Sequence, residues 1–415
     1  MVTRRSFLKK ASVVAAATAA PYVFSRSKVT LRVMGTHVTL QEELRQRAMK
    51  ELGFNIVFEP KGSAAVLQKA ASNPASFDLY EQWSDSINIL WQARAIQPIE
   101  TERLKYWDEI NDLTKKGRIV PSAKLGAGDS PNKILFVQPN NQLGTTETNR
   151  ISFMPYVHNV DSFGYNTNII QRGEPYVTES WAWLLDPKYK GKVALVNAPT
   201  IGIFDAALAA SGQGLMSFGD IGNMTIAEID QLFAILTAKK REGHFSGFWT
   251  SVPQSVDFMV SGRAHIQSMF SPGVSASKGK GVPVTYASPK EGYRAWHGVM
   301  CLSSKTNGAV KDAAYDYMNW WLSGYPGAFI ARQGYYISNP QRSRPLMSEQ
   351  EWNYWYEGQE ASVPLQGTNG KVSVKPGERR DGGSYIERFS NIAVWNTVMD
   401  NYDYSLDRWY AFLNS

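Results

Sequence analysis

The segment from Val29 to Glu59 constrains this chain more than any other. Val29-Thr30-Leu31-Arg32-Val33 alternates apolar and polar side chains, the period of a half-buried strand. Thr39-Leu40-Gln41-Glu42 has the form of a capping box, Leu40, Leu44 and Leu52 share one helical face, and Gly53 stands where a left-handed residue would end the helix. Phe54 to Glu59 is again strand-like. Strand, helix and strand make a βαβ unit, so the sheet is expected to be parallel. Ligands collect beyond the carboxyl ends of such strands, which singles out the loop from Met34 to Val38.

The same alternation continues along the chain. Short apolar strands are expected at Phe77 to Tyr80, Lys192 to Val196, His265 to Phe270 and His297 to Leu302, separated by helix-like segments, so the fold class is α/β. Val310, Ala314, Tyr317, Met318 and Trp321 recur at helical spacing and predict a core-packing helix. The stretches Gly126 to Arg150, apart from the apolar run Ile134 to Val137, and Gln366 to Gly383 are polar and rich in turn-forming residues; both read as surface insertions or lids.

Ahead of the βαβ unit, Thr3-Arg4-Arg5-Ser6-Phe7-Leu8-Lys9-Lys10 leads into a nearly uncharged run of small residues from Ala11 to Ala20. A twin arginine before such a run is the pattern of a twin-arginine export signal, and the run is too short to span a bilayer. Residues 1–25 are therefore expected to be a signal peptide read by the twin-arginine translocase, and the mature protein is expected in the periplasm. Cys301 is the single cysteine, so no intramolecular disulfide can form and a large core must hold the fold. The mature length of about 390 residues is expected to divide into two domains.

Charge does not point to nucleic acid. The formal net charge of +7 falls to +3 once Arg4, Arg5, Lys9 and Lys10 leave with the signal, and the one basic cluster, Lys239-Lys240-Arg241, ends a helix-like segment where cations favour the helix dipole. His37, His158, His244, His265 and His297 show no short metal-ligand spacing, and neither CxxC nor a phosphate-type GxGxxG occurs. No cofactor and no metal is expected. An exported enzyme stays as the lesser alternative, because the members of a Ser/His/Asp triad need not be adjacent in sequence.

Several segments resemble the periplasmic spermidine/putrescine-binding proteins of ABC importers. They are Phe77-Asp78-Leu79 with Ile96-Gln97-Pro98-Ile99; Pro155-Tyr156-Val157 with Gly164-Tyr165-Asn166; Ser180-Trp181 with Pro187-Lys188-Tyr189-Lys190-Gly191; Pro289-Lys290-Glu291-Gly292 with Trp296; and Gly334-Tyr335 with Asn339-Pro340. The resemblance implies a two-lobed Venus-flytrap periplasmic-binding-protein fold with crossing hinge strands, lobe one being 28–160 plus 297–343 and lobe two 161–296 plus 344–415. It implies a receptor that hands a small organic ligand to the permease subunits of an ABC importer and performs no catalysis.

Carried over segment by segment, the resemblance nominates Thr36, His37, Trp83, Ser84, Asp85, His158, Asp161, Asn197, Phe270, Trp296 and Asn396 as ligand-binding residues. Aromatic faces beside a carboxylate suit a protonated amine or a quaternary ammonium. Two acids by which polyamine binders hold terminal ammonium groups are missing: Asn197 and Gly298 stand in their places. Enclosing an ammonium without an anion is costly, so the expected ligand is a small organic amine, either polyamine-like or, better suited to the altered site, a monoamine, a betaine or a nitrogen heterocycle, with Asp85 and Asp161 as anchors. A ferric-ion receptor of the same fold, using Tyr335 and Tyr336, is the competing reading.

Overall fold

The computed structural model describes residues 28–415, so the export signal expected over 1–25 lies outside the described residues. The βαβ unit forms. Thr30–Gly35 pairs in parallel with Asn55–Pro60 on one side and Leu79–Trp83 on the other. Helix Glu42–Leu52 joins the first two strands, burying Leu44 and Ala48 and ending at Gly53 with φ 75°. Its start departs from the expected capping box: Gln41 occupies the N-cap and makes no side-chain cap. Thr39 is instead drawn into the core, where its hydroxyl accepts from Tyr156 at 3.1 Å, a tertiary contact that overrides the local motif.

Two long strands, Met154–Asn166 and Tyr293–Ser303, run antiparallel through the middle of the sheet. Asp161 lies opposite Arg294, Asn159 opposite Trp296, and His158 opposite His297. Each strand leaves its partner to join a different half-sheet. Ser162 to Tyr165 pair with Ile266–Met269, which leads on to Val193–Val196 and Phe245–Trp249. Gly298 to Leu302 pair with Leu79–Trp83 and so with the βαβ unit. The result is a two-lobed α/β fold with crossing strands.

The buried apolar residues follow this division. One cluster collects Leu31, Val33, Leu79 and Tyr156 together with Met318 and Trp321 of helix Gly308–Trp321. Another collects Phe163, Trp181, Leu195, Phe233 and Trp409. A third, around Trp352, Trp355, Tyr385, Phe389 and Trp395, packs against Val160 and Tyr293 of the long strands. Such burial contributes about 25 cal/mol per Å² of apolar surface, so the single buried Cys301 has no stapling role to fill.

Neither polar stretch is a free lid. Within Gly126 to Arg150, Phe136–Val137 pairs with Leu143–Gly144 and with Ile151, and the run Ile134 to Val137 is buried. Within Gln366 to Gly383, a short hairpin pairs Leu365 and Gln366 with Val374 and Val372. Asp381 ties that stretch down through Arg172 at 3.0 Å and Lys278 at 3.6 Å. Among the described residues no helix is long and apolar enough to cross a membrane.

Candidate functional site

The carboxyl ends of strands from both half-sheets converge on one cavity of about 320 Å³. Thr36, His37 and Val38 follow Thr30–Gly35; Lys61, Gly62 and Ser63 follow Asn55–Pro60; Trp83 ends Leu79–Trp83. From the opposite side come Val196 and Ala198, Trp249 to Val252, and Phe270, each at or just past the end of its strand. This is the placement that parallel α/β sheets give their ligand sites. Asp161 and Trp296 of the long strands, with Tyr335 and Asn396, complete the lining. A larger groove of about 540 Å³ beside Arg172, Lys278 and Asp381 has no aromatic wall, and Asp381 is already paired with both cations.

Five rings shape the cavity. Trp83 meets Trp296 edge to face with centroids 4.6 Å apart, Trp296 meets Tyr335 at 5.5 Å, and Trp249 meets Phe270 at 5.2 Å. The Trp249 indole is fixed by donating to the Ser268 carbonyl oxygen at 3.1 Å. Rings held by packing and by a hydrogen bond keep their faces oriented without the entropy cost of ordering them on binding.

One carboxylate serves this aromatic box. Asp161 is buried; its Oδ1 accepts from the Tyr286 hydroxyl at 3.0 Å and its Oδ2 lies 3.6 Å from Arg294 Nη1. The Arg294 guanidinium, itself fully buried, donates from Nε to Asp205 Oδ1 at 2.7 Å and from Nη1 to Asn396 Oδ1 at 3.1 Å. Burial pushes the Asp161 carboxyl up to about 6, against the opposing pull of Arg294. Burial likewise raises Asp205. With both acids ionised, two carboxylates face one guanidinium and the cluster carries a net charge of −1, of which Asp161 is the member on the cavity wall. Asn396 is 2% exposed, and its amide nitrogen has no partner among the described residues.

Of the eleven residues nominated from sequence, Thr36, His37, Trp83, Asp161, Phe270, Trp296 and Asn396 line the cavity, whereas Ser84, Asp85, His158 and Asn197 do not. Ser84 and Asp85 belong to the 3-10 turn Ser84–Ser86 and are buried. Burial and then the neighbouring Asp129 push the Asp85 carboxyl up to about 7, and it accepts from backbone N–H groups in its own turn. Of the two acids expected as anchors, Asp161 therefore lines the cavity and Asp85 does not. Asn197 Oδ1 accepts from Trp409 Nε1 at 3.0 Å, a contact with the C-terminal helix Tyr402–Asn414.

His158 lies off the cavity for a reason of strand period. Successive side chains of a strand point to opposite faces, so a strand that presents Asp161 to the cavity turns His158 away. Its Nε2 pairs with the Tyr385 hydroxyl at 2.8 Å, in a cluster with His297, Tyr336 and Phe389. The same alternation splits the tyrosine pair: Tyr335 lines the cavity, while the Tyr336 hydroxyl donates to the Trp355 carbonyl oxygen at 3.0 Å. Tyr335, Lys61, Gly62, Ser63 and Trp249 to Val252 also line the cavity and were not among the residues nominated from sequence. Their position just past strand ends was the available signal.

Gly298, where the resemblance led us to expect an acid, is tightly enclosed. A Cβ there would stand 2.8 Å from the Val157 carbonyl oxygen and 3.1 Å from Tyr156 Cε1. The backbone leaves no room for an acid at that position.

A family model for bacterial extracellular solute-binding proteins matches residues 43–347. The putrescine-binding periplasmic protein PotF of Escherichia coli (strain K12) is 23% identical over 307 residues, covering 72% of this chain and 75% of that protein. The spermidine/putrescine ABC transporter substrate-binding protein PotD of Streptococcus pneumoniae superposes with a TM-score of 0.62 at 13% identity, over 92% of this chain and 98% of that one. The protein AgtB of A. tumefaciens R10, solved in complex with agropinic acid, superposes with a TM-score of 0.55 at 12% identity, over 94% and 99%. The chain belongs to the family of bacterial extracellular solute-binding proteins, which bind solutes and are not enzymes.

Proposed function

We propose that this protein is the substrate-binding receptor of an ABC importer, and that its ligand is a small organic amine with a single cationic centre. The single observation that carries the reading is the buried Asp161, wedged between the aromatic box and Arg294. A cation over an aromatic face gains about 0.5 to 2 kcal/mol, and a desolvated carboxylate beside it supplies the counter-charge. Because Arg294 already offsets one of the two local acids, the cluster has one negative charge to give. A diamine or triamine would bury at least one ammonium without an anion, a cost of several kcal/mol.

The lobes of the proposed receptor are 28–160 plus 297–343 and 161–296 plus 344–415, as expected from sequence. Much of 344–395 packs in the cluster at the long strands and serves as a hinge-side buttress. Closure of the lobes brings both half-sheets onto the ligand, since only then is it touched from both sides. Export through residues 1–25, action in the periplasm and docking to permease subunits complete the proposal.

A thermal-shift screen over amines, betaines, amino acids and polyamines tests it. A ligand at one hundred times its Kd stabilises by about 2.7 kcal/mol. Stabilisation confined to ligands with a single cationic centre supports the reading, whereas stabilisation by spermidine or putrescine alone overturns it.

A further inference from the structure

The cavity has a second charged end. Helix Ser63–Ser72 opens at its wall with Gly62 as N-cap; Gly62 has no side chain to cap the first turn, and that turn contains no acidic residue. The unsatisfied N–H groups of such a turn attract anions. The neighbouring terminus at Val252–Val260 differs, because Ser251 caps it by accepting from Gln254 N, and Pro253 brings no N–H.

Three further observations fall at the same end. Lys61 lines the cavity, and Glu59 is shared between Lys61 Nζ at 2.8 Å and Lys69 Nζ at 2.5 Å, so two ammonium groups face one carboxylate and a net +1 remains. Thr36 sits beside them, since Lys61 N donates to the Gly35 carbonyl oxygen at 2.9 Å. Its side chain lines the cavity, the residue is 8% exposed, and its hydroxyl has no partner among the described residues. A hydroxyl that opens into a cavity from a nearly buried residue can donate to a ligand acceptor there.

We infer that the ligand is a zwitterion: its ammonium occupies the aromatic box at Asp161, and its carboxylate is held by Thr36, Lys61 and the uncapped first turn after Gly62. The inference rests on the proposed amine-binding function and adds the anion. A net −1 at one end and a net +1 at the other match an amino acid or betaine better than a simple amine.

Calorimetric titration of the whole protein with matched probes tests it: glycine betaine, β-alanine, γ-aminobutyrate and 5-aminopentanoate, each against its carboxamide, with butylamine and choline as amines lacking an acid. The bound zwitterion is expected to exceed its amide by at least about tenfold in affinity, the scale of one charge-assisted hydrogen bond. Lys61→Met should shrink that ratio several-fold. Gly62→Asp should abolish it: the position has φ −66° and open space around a Cβ, so the new carboxylate caps the helix and fills the anion site without harming the fold. Equal affinity for zwitterion and amide, or a ratio unmoved in Gly62→Asp, overturns the inference while the amine reading stands. Absence of binding by every amine-bearing probe overturns both.

Discussion

Arg294 and Asp161 are register partners across the two long strands, and Arg294 Nη1 lies 3.6 Å from Asp161 Oδ2. The guanidinium thereby links a cavity-lining carboxylate to Asp205 inside helix Pro199–Gly212. Removing one partner of a buried ionic cluster leaves uncompensated charge, at a cost of about 3 to 5 kcal/mol. Arg294→Met, which strands two acids, is expected to lose that much stability in urea denaturation. A loss below about 1 kcal/mol would show that the cluster is solvated and not the buried floor of a site.

The pH dependence of binding follows from Asp161. Its carboxyl is raised to about 6, and a cationic ligand needs the ionised form. Protons therefore compete with the ligand below pH 6, and the measured Kd should rise about tenfold for each further unit of acidification. Stability responds in the opposite sense. A carboxyl raised from 3.8 when unfolded to about 6 when folded binds its proton more tightly in the fold. Its contribution is fully present below about pH 4 and is lost as pH rises through about 6. Titrations from pH 5 to 8 check the first claim, and an affinity flat across that range would remove Asp161 from the site.

Trp296 packs against both Trp83 and Tyr335. Trp296→Leu keeps apolar bulk and removes the quadrupole, so it should cost a protonated or quaternary amine about 0.5 to 2 kcal/mol. A neutral isostere of the same shape should lose less. Equal losses for the two ligands would reduce Trp296 to a packing residue.

Much of the fold was legible in the sequence because it is written locally. Helix Gly308–Trp321 coincides with the spacing of Val310 to Trp321, and the βαβ unit with the alternation at Val29 to Val33. The cavity was legible in part. Trp83, Asp161 and Trp296 stand in segments with a recognisable pattern, whereas the Lys61 to Ser63 end is a property of helix position, which carries no motif. His158 and Asp161 could have been separated by parity alone. Asp85 could not, since only the tertiary structure shows that its turn encloses it beside Asp129.

Asn197→Asp places its carboxylate at Trp409 Nε1, outside the cavity, and should leave putrescine affinity unchanged in competition binding. A gain of tenfold or more would mean that the strand end rotates toward the ligand on closure.

A single buried carboxylate, Asp161, is proposed to select an amine with one cationic centre. Equilibrium titration by intrinsic tryptophan fluorescence, comparing the unmodified protein with Asp161→Asn, tests it most directly. One-to-one saturable binding of an amine with one cationic centre, tighter than that of putrescine or spermidine, is expected, with a weakening of roughly ten- to a hundredfold in Asp161→Asn, the range of a charge-assisted hydrogen bond of about 1.5 to 3 kcal/mol. Tighter binding of the polyamines, unaffected by Asp161→Asn, would contradict it.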